Sequence, residues 1–81
     1  MTRKKMSSGN GVIRLGLIGA GGMGVADTLT ALEHENIRLV AVCDLYTRPL
    51  EDAKTRWGQE ILTTKDYKEI LKREDIDAVI I

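Results

Sequence analysis

A glycine-rich stretch directly after an apolar run is the part of this chain best suited to bind a charged ligand. The stretch is Gly19-Ala20-Gly21-Gly22-Met23-Gly24, and the apolar run covers residues 12–18. Glycines at the first, third and sixth positions allow a sharp turn, a close approach of a pyrophosphate, and close packing of a helix on a strand. The free N–H groups at the start of that helix would face the phosphate oxygens. The spacing predicts a dinucleotide-binding turn; a strand–helix turn without a ligand is the alternative.

An acidic residue is the second feature that could contribute to ligand binding. Asp44 follows Gly24 by twenty residues and ends a second apolar run, residues 37–43. A carboxylate at this place accepts hydrogen bonds from ribose hydroxyls and repels a 2′-phosphate, so Asp44 favours NAD over NADP. Leu45 is placed to cover the adenine. Arg48 could reach a 2′-phosphate and permit NADP as well, or it is simply a solvated arginine in the first turn of a helix.

These residues define the predicted site, which is a cofactor site only. No lysine, histidine or aspartate has a sequence context that marks it as an acid or base for hydride transfer, so we predict no catalytic residue and no metal site. Structural roles are expected for Cys43 as a buried apolar residue, for His34 at a helix end, and for Trp57 between a helix and the sheet. The predicted cofactor contacts are Gly19, Ala20, Gly21, Gly22, Met23, Gly24, Asp44, Leu45 and Arg48.

The elements that must position these residues alternate between strands and helices. This β-α-β-α-β-α-β order predicts an α/β fold with a parallel sheet and right-handed crossovers. The expected strand order is 3-2-1-4, a partial Rossmann fold that is truncated in its fourth strand. The predicted strands cover residues 12–18, 37–43, 61–62 and 76–81, and the predicted helices cover residues 22–34, 47–57 and a segment that ends near residue 73.

Helix ends and helix faces can also be predicted. Val25, Leu29 and Leu32 recur at helical spacing, so we expect them to face the sheet. Either Thr47 or Arg48 is expected to cap the second helix, which Gly58 terminates. The third helix is expected to be capped by one of the two threonines at positions 63 and 64.

Length and composition limit the possible functions. With 81 residues, 43% apolar and 30% charged, the chain is expected to form at most one small soluble domain. Its formal net charge of zero gives no reason to expect nucleic acid or a membrane surface as partner. A single cysteine excludes an intrachain disulfide and fits a reducing compartment, so we predict a cytoplasmic protein. Residues 1–11 are expected to be a disordered tail, and residues 12–81 the cofactor-binding domain.

A signal peptide is the alternative interpretation of the start of the chain. The basic run Arg3-Lys4-Lys5 precedes an apolar segment, as in a secretory leader. Arg14 interrupts that segment, and its glycines make a poor hydrophobic helix. A leader would also give no reason for Asp44 or for the strands and helices that follow.

Four segments together resemble the opening of the Gfo/Idh/MocA oxidoreductases, the relatives of glucose–fructose oxidoreductase and inositol dehydrogenase. The resemblance runs from about residue 12 to the end, and its last segment makes it more specific than the glycine motif alone. The segments are Arg14-Leu-Gly-Leu-Ile-Gly-Ala-Gly-Gly-Met-Gly24, Leu39-Val-Ala-Val-Cys-Asp44, Tyr67-Lys-Glu-Ile-Leu71 and Ile76-Asp-Ala-Val-Ile-Ile81.

This resemblance implies a two-domain, usually homo-oligomeric enzyme that moves a hydride between NAD(P) and a sugar, cyclitol or related polyol. The family's Thr-Pro loop, its Lys-Pro motif and its acid/base residues have no counterpart here. We therefore expect an NAD-binding portion that is inactive alone. A stand-alone, non-catalytic nucleotide-binding or interaction module is the alternative, and a parent enzyme that uses its redox step for a net elimination is a third possibility.

Overall fold

The residues that the structure describes form a five-stranded sheet with helices on both faces. In the computed structural model of the protein, the described residues are 11–81 together with the backbone of residues 2–3. The sheet order is β1-β5-β2-β3-β4. The strands are β1 (Thr2–Arg3), β2 (Ile13–Ile18), β3 (Ile37–Cys43), β4 (Leu62–Thr64) and β5 (Ala78–Ile80), and the helices are α1 (Gly22–Ala31), α2 (Thr47–Trp57) and α3 (Tyr67–Lys72).

The predicted parallel sheet is confirmed. Strands β4, β3, β2 and β5 are neighbours in that order and all run parallel, which is the expected 3-2-1-4 arrangement. Strand β1 pairs antiparallel with β5 at the sheet edge and was not predicted. Most of the predicted tail, residues 1–11, lies outside the described residues, but residues 2–3 of it form this strand.

Apolar side chains fill the space on both faces of the sheet. One cluster combines Leu15 and Leu17 of β2 with Leu50 and Ala53 of α2, and Trp57 packs against it as predicted. The second cluster, on the α3 face, joins residues of β3, of β5 and of the turn before β5 to α3: Ala41, Cys43, Ile70, Ile76 and Val79. The longest helix has 11 residues, and no described helix has the length and apolar character needed to cross a bilayer.

Helix α1 differs from its prediction in length and in its buried face. It ends at Ala31 instead of residue 34, which leaves His34 exposed beyond it. Its fully buried side chain is Thr28, whereas Leu29 of the predicted face is 43% exposed. The other two residues of that face, Val25 and Leu32, are half-buried, and Leu32 packs against the first cluster. The reason for the burial of Thr28 is the glycine at position 24, which brings that side of the helix against β2. Thr28 lies one turn later on the same side and donates from Oγ1 to the carbonyl of Gly24 at 2.8 Å.

The predicted caps of the other helices are wrong. Tyr46 occupies the N-cap of α2 and makes no side-chain cap hydrogen bond, so neither Thr47 nor Arg48 is the cap. In α3 the cap is Asp66, whose carboxylate accepts from the Lys68 N–H at 3.0 Å. A short carboxylate reaches the free N–H groups of the first turn directly, which is why aspartate competes well for this position. The predicted end of α2 at Gly58 is confirmed, with φ at +114°.

Candidate functional site

The turn out of β2 has the backbone geometry that the glycine spacing predicted. Gly19 has φ of +88°, in the left-handed region where a side chain is strained. Its N–H donates to the carbonyl of Cys43 at 2.8 Å, so the turn begins beside the end of β3. A sharp exit from β2 therefore places the start of α1 at the carboxyl edge of the sheet.

Close packing explains the last glycine of the motif. A Cβ at Gly24 would overlap the carbonyl oxygen of Gly19 and lie 3.2 Å from Cδ1 of Leu17. A Cβ at Gly21 or Gly22 would meet nothing within 4 Å. The motif is thus tight where α1 packs on β2 and open at its outer surface.

The open surface carries hydrogen-bond donors. Gly21 is the N-cap of α1, and its carbonyl accepts the N–H of Val25 at 2.9 Å. The N–H groups of residues 22–24 precede this first helical bond and lack helical acceptors. Such a helix start, with its positive dipole end, suits the oxygens of a phosphate group.

Asp44 is tied to the glycine turn by its side chain. Its Oδ2 accepts the N–H of Ala20 at 2.8 Å, and its Oδ1 accepts the N–H of Tyr46 at 3.0 Å. Its own N–H donates to the carbonyl of Thr64 at 3.1 Å. These three bonds hold the half-buried carboxylate where the turn, β3 and β4 converge. Each carboxylate oxygen has further lone-pair capacity for a ligand hydroxyl.

Two open surface clefts share Ile18 and Gly19 in their linings. The first, of about 480 Å³, is lined by Ile18, Gly19, Cys43, Asp44, Leu45, Tyr46, Lys65 and Tyr67. The second, of about 510 Å³, is lined by Ile18, Gly19, Gly21, Gly22, Met23, Gly24, Asp27 and Ile81.

The two clefts contain most of the predicted site residues. Leu45, 75% exposed, borders the first cleft next to Asp44. Arg48 is exposed in the first turn of α2 and borders neither cleft. Whether these residues contact a cofactor stays a prediction.

Sequence reasoning missed three residues of the first cleft. They are Tyr46, Lys65 and Tyr67, which border it with Asp44. A signal for two of them was present, because residues 65–67 directly follow the third strand of the parallel sheet. The carboxyl ends of parallel strands meet at one edge, where ligands of such sheets bind.

Cys43 borders the first cleft but is shielded from solvent. It is 4% exposed, in agreement with its predicted structural role. Burial raises the pKa of the Cys43 thiol, and the nearby carboxylates of Asp44, Asp66 and Glu69 raise it further. The thiol is therefore kept neutral and unreactive. Among the described residues, no group of three or more His, Cys, Asp or Glu side chains could hold a metal ion.

Known proteins are similar to this chain in sequence and in fold. A curated relative, a glycosyl hydrolase family 109 protein of Shewanella baltica, is 33% identical over 78 aligned residues, which cover 86% of this chain and 17% of that protein. The WlbA dehydrogenase of Chromobacterium violaceum, solved with NADH and UDP-GlcNAcA, is 27% identical with a TM-score of 0.72. The 3-ketoreductase KijD10 of Actinomadura kijaniata, solved with TDP-benzene and NADP, is 26% identical with a TM-score of 0.69.

The match to these structures covers nearly all of this chain but a small part of theirs. It includes 89% and 84% of this chain, and 21% of each of the two solved chains. A family model described as "Oxidoreductase family, NAD-binding Rossmann fold" matches residues 13–81. The chain therefore belongs to the Gfo/Idh/MocA oxidoreductases and has their NAD-binding Rossmann fold, as its motifs predicted.

Proposed function

We propose that the glycine turn and Asp44 bind NAD for an oxidoreductase that transfers a hydride between the nicotinamide ring and a sugar, cyclitol or related polyol. The observation that carries this proposal is the hydrogen bond from the Ala20 N–H to Asp44 Oδ2. It joins the phosphate-binding turn to the ribose-binding acid at the meeting point of two clefts. A ligand with a pyrophosphate next to an adenosine ribose matches that arrangement.

The residues of this chain fit the cofactor part by part. The pyrophosphate would lie over the N–H groups of Gly22 and Met23, on the open side of the turn, where a Cβ added at Gly21 or Gly22 would meet nothing within 4 Å. The adenosine ribose would donate its hydroxyl groups to Asp44, and the adenine would lie in the first cleft against Leu45. When bound, NAD supplies the hydride acceptor or donor, and this chain supplies the binding and the orientation.

Asp44 provides the direct test of this assignment. Asp44→Asn keeps a side-chain oxygen for the Ala20 N–H but removes the charge. We expect it to weaken NADH binding by about tenfold, because hydrogen bonds to a charged group are the stronger ones. We also expect the affinity for NADPH to fall less than that for NADH, or to rise, because the repulsion of the NADPH 2′-phosphate is removed. Both Kd values can be measured by titration of the cofactor fluorescence.

A matched control is available on α2. Glu51→Gln removes one negative charge from an exposed position outside both clefts, so it is expected to leave both Kd values unchanged. A ratio of NADH to NADPH affinity that stays constant in Asp44→Asn would contradict the role given to Asp44.

The curated relative favours a second candidate function. That relative is named as a glycosyl hydrolase, so the protein that carries this chain could use the redox step of NAD for a net elimination that cleaves a glycoside. Release of the alcohol from an aryl glycoside, with no net change in NADH absorbance, would favour cleavage. Accumulation of NADH with a free sugar or cyclitol would favour dehydrogenation. Tight NADH binding without either reaction would favour a non-catalytic binding module.

A further inference from the structure

We propose that Lys65 determines the choice of cofactor, because its ammonium group receives the 2′-phosphate of NADP and so permits this cofactor besides NAD. This inference rests on the proposed function and adds a specificity residue to it. Residue 65 lies outside both the glycine motif and the acid that follows it, and the pairing of β3 with β4 places it beside that acid.

The backbone places Lys65 next to Asp44. The two strands are in register with Cys43 opposite Thr64, the last residue of β4. One residue further, the Asp44 N–H donates to the Thr64 carbonyl at 3.1 Å. Lys65 directly follows that carbonyl and borders the same cleft as Asp44. The backbone of Lys65 is therefore separated from that of Asp44 by only this hydrogen bond and the Thr64–Lys65 peptide bond.

The ammonium group of Lys65 is not committed to another partner. Within the described part of the chain, no hydrogen bond or ion pair engages this exposed side chain. Lys54 is different: its Nζ donates to the carbonyls of Gln59 at 2.9 Å and Ile61 at 3.2 Å. Lys65 can thus turn toward an anion in the cleft without breaking an internal bond.

The fixed position of Asp44 makes such a cation decisive. Both carboxylate oxygens are held by backbone N–H groups, so Asp44 cannot swing away from an incoming 2′-phosphate. A phosphate at this place must be offset by a positive charge on the same cleft, and a lysine ammonium meets that need as a flexible point charge. Arg48, the other candidate, is exposed on α2 and does not border the cleft.

The test compares NADH and NADPH binding to purified wild-type protein and four single variants by calorimetry. Lys65→Gln is expected to weaken NADPH binding by about tenfold and to change NADH binding by less than about twofold. Lys65→Arg should retain NADPH binding. Lys68→Gln, which makes the same change of charge at an exposed position outside the cleft, should leave the binding of both cofactors unchanged. Arg48→Gln removes the other candidate cation and is expected to weaken NADPH binding less than Lys65→Gln does.

The possible outcomes separate this inference from the proposed function. Three results would overturn the role of Lys65. Lys65→Gln could weaken NADH and NADPH binding equally, it could leave NADPH binding unchanged, or Arg48→Gln could be the variant that selectively loses NADPH binding. Wild-type binding of NADH without measurable binding of NADPH would do the same. Each of these results leaves the dinucleotide site intact, whereas wild-type protein that binds neither cofactor would overturn the proposed function as well.

Discussion

At the scale of single residues, the Asp44 carboxylate is held in place before any ligand arrives. Its two oxygens accept the N–H groups of Ala20 in the glycine turn and of Tyr46 directly after β3. A group that is already ordered loses little conformational entropy on binding. Under the proposed function, hydrogen bonds from a ribose would therefore contribute to affinity with little cost for ordering this side chain.

The neighbouring Cys43 leads to a prediction about thiol reactivity. Because its side chain is buried and its pKa is raised, we expect a disulfide reagent to label native protein far more slowly than protein unfolded in urea. A raised folded-state pKa also means that the contribution of the neutral thiol to stability is complete below the unfolded pKa. That contribution is lost as the pH rises through the folded pKa.

Two measurements check this prediction for Cys43. The rate of thiol labelling is followed with and without urea, and the urea midpoint is compared at neutral and alkaline pH. Cys43→Ala removes the thiol and should reduce the loss of stability at alkaline pH. Labelling that is equally fast in native and unfolded protein would contradict the buried position of this side chain.

At the scale of elements, the two ends of the glycine motif have separable roles. Gly24 is required for packing, since a Cβ there would overlap the Gly19 carbonyl oxygen. Gly21 leaves open space on its outer side and has an ordinary φ of −78°. The same substitution to alanine should therefore affect stability at one position and ligand binding at the other.

We predict that Gly24→Ala lowers the free energy of unfolding by about 1–3 kcal/mol, the usual cost of overpacking. Gly21→Ala should cost at most about 1 kcal/mol, because alanine is a poorer N-cap than glycine. NADH binding should nevertheless be weakened in Gly21→Ala, since the new methyl group would stand where the pyrophosphate approaches. Urea unfolding and NADH titration of both variants check this. Equal loss of stability in the two variants would contradict the separation of roles.

The elements also show what the sequence could and could not predict. Apolar runs bounded by glycine or charged residues were enough for the order of strands, the parallel sheet and the turn at Gly19. The buried face of α1 was not predictable from hydropathy, because contact there depends on Gly24 and Thr28, which contribute little to an apolar pattern. Lys65 was missed although the predicted strand order carried a signal for it: this residue follows the strand that pairs with β3, and no local motif marks it as a neighbour of Asp44.

At the scale of the whole molecule, the buried carboxylate of Asp77 links β2 and β5, the first and the last of the parallel strands along the chain. Asp77 precedes β5, and Arg14 lies in β2, 63 residues earlier. The Arg14 N–H donates to Asp77 Oδ2 at 2.9 Å, and the Asp77 N–H donates to the Arg14 carbonyl at 2.8 Å. The Arg14 guanidinium adds a contact from Nε at 3.3 Å. These bonds fix the register in which β5 pairs with β2, the strand that leads into the glycine turn.

We predict that Asp77→Ala lowers the free energy of unfolding by about 2 kcal/mol, because the Arg14 N–H loses its acceptor in a site where Asp77 is only 1% exposed. Asp77→Asn retains a side-chain oxygen and should lose less. Asp75→Ala is the matched control: the side chains of its ion pair with Arg73 are 41% and 36% exposed, so the free energy of unfolding should fall by less than about 1 kcal/mol. Urea unfolding midpoints measure all three. A loss in Asp75→Ala as large as that in Asp77→Ala would mean that burial of the carboxylate does not decide its contribution, and that Asp77 does not hold the sheet together in the way its hydrogen bonds indicate.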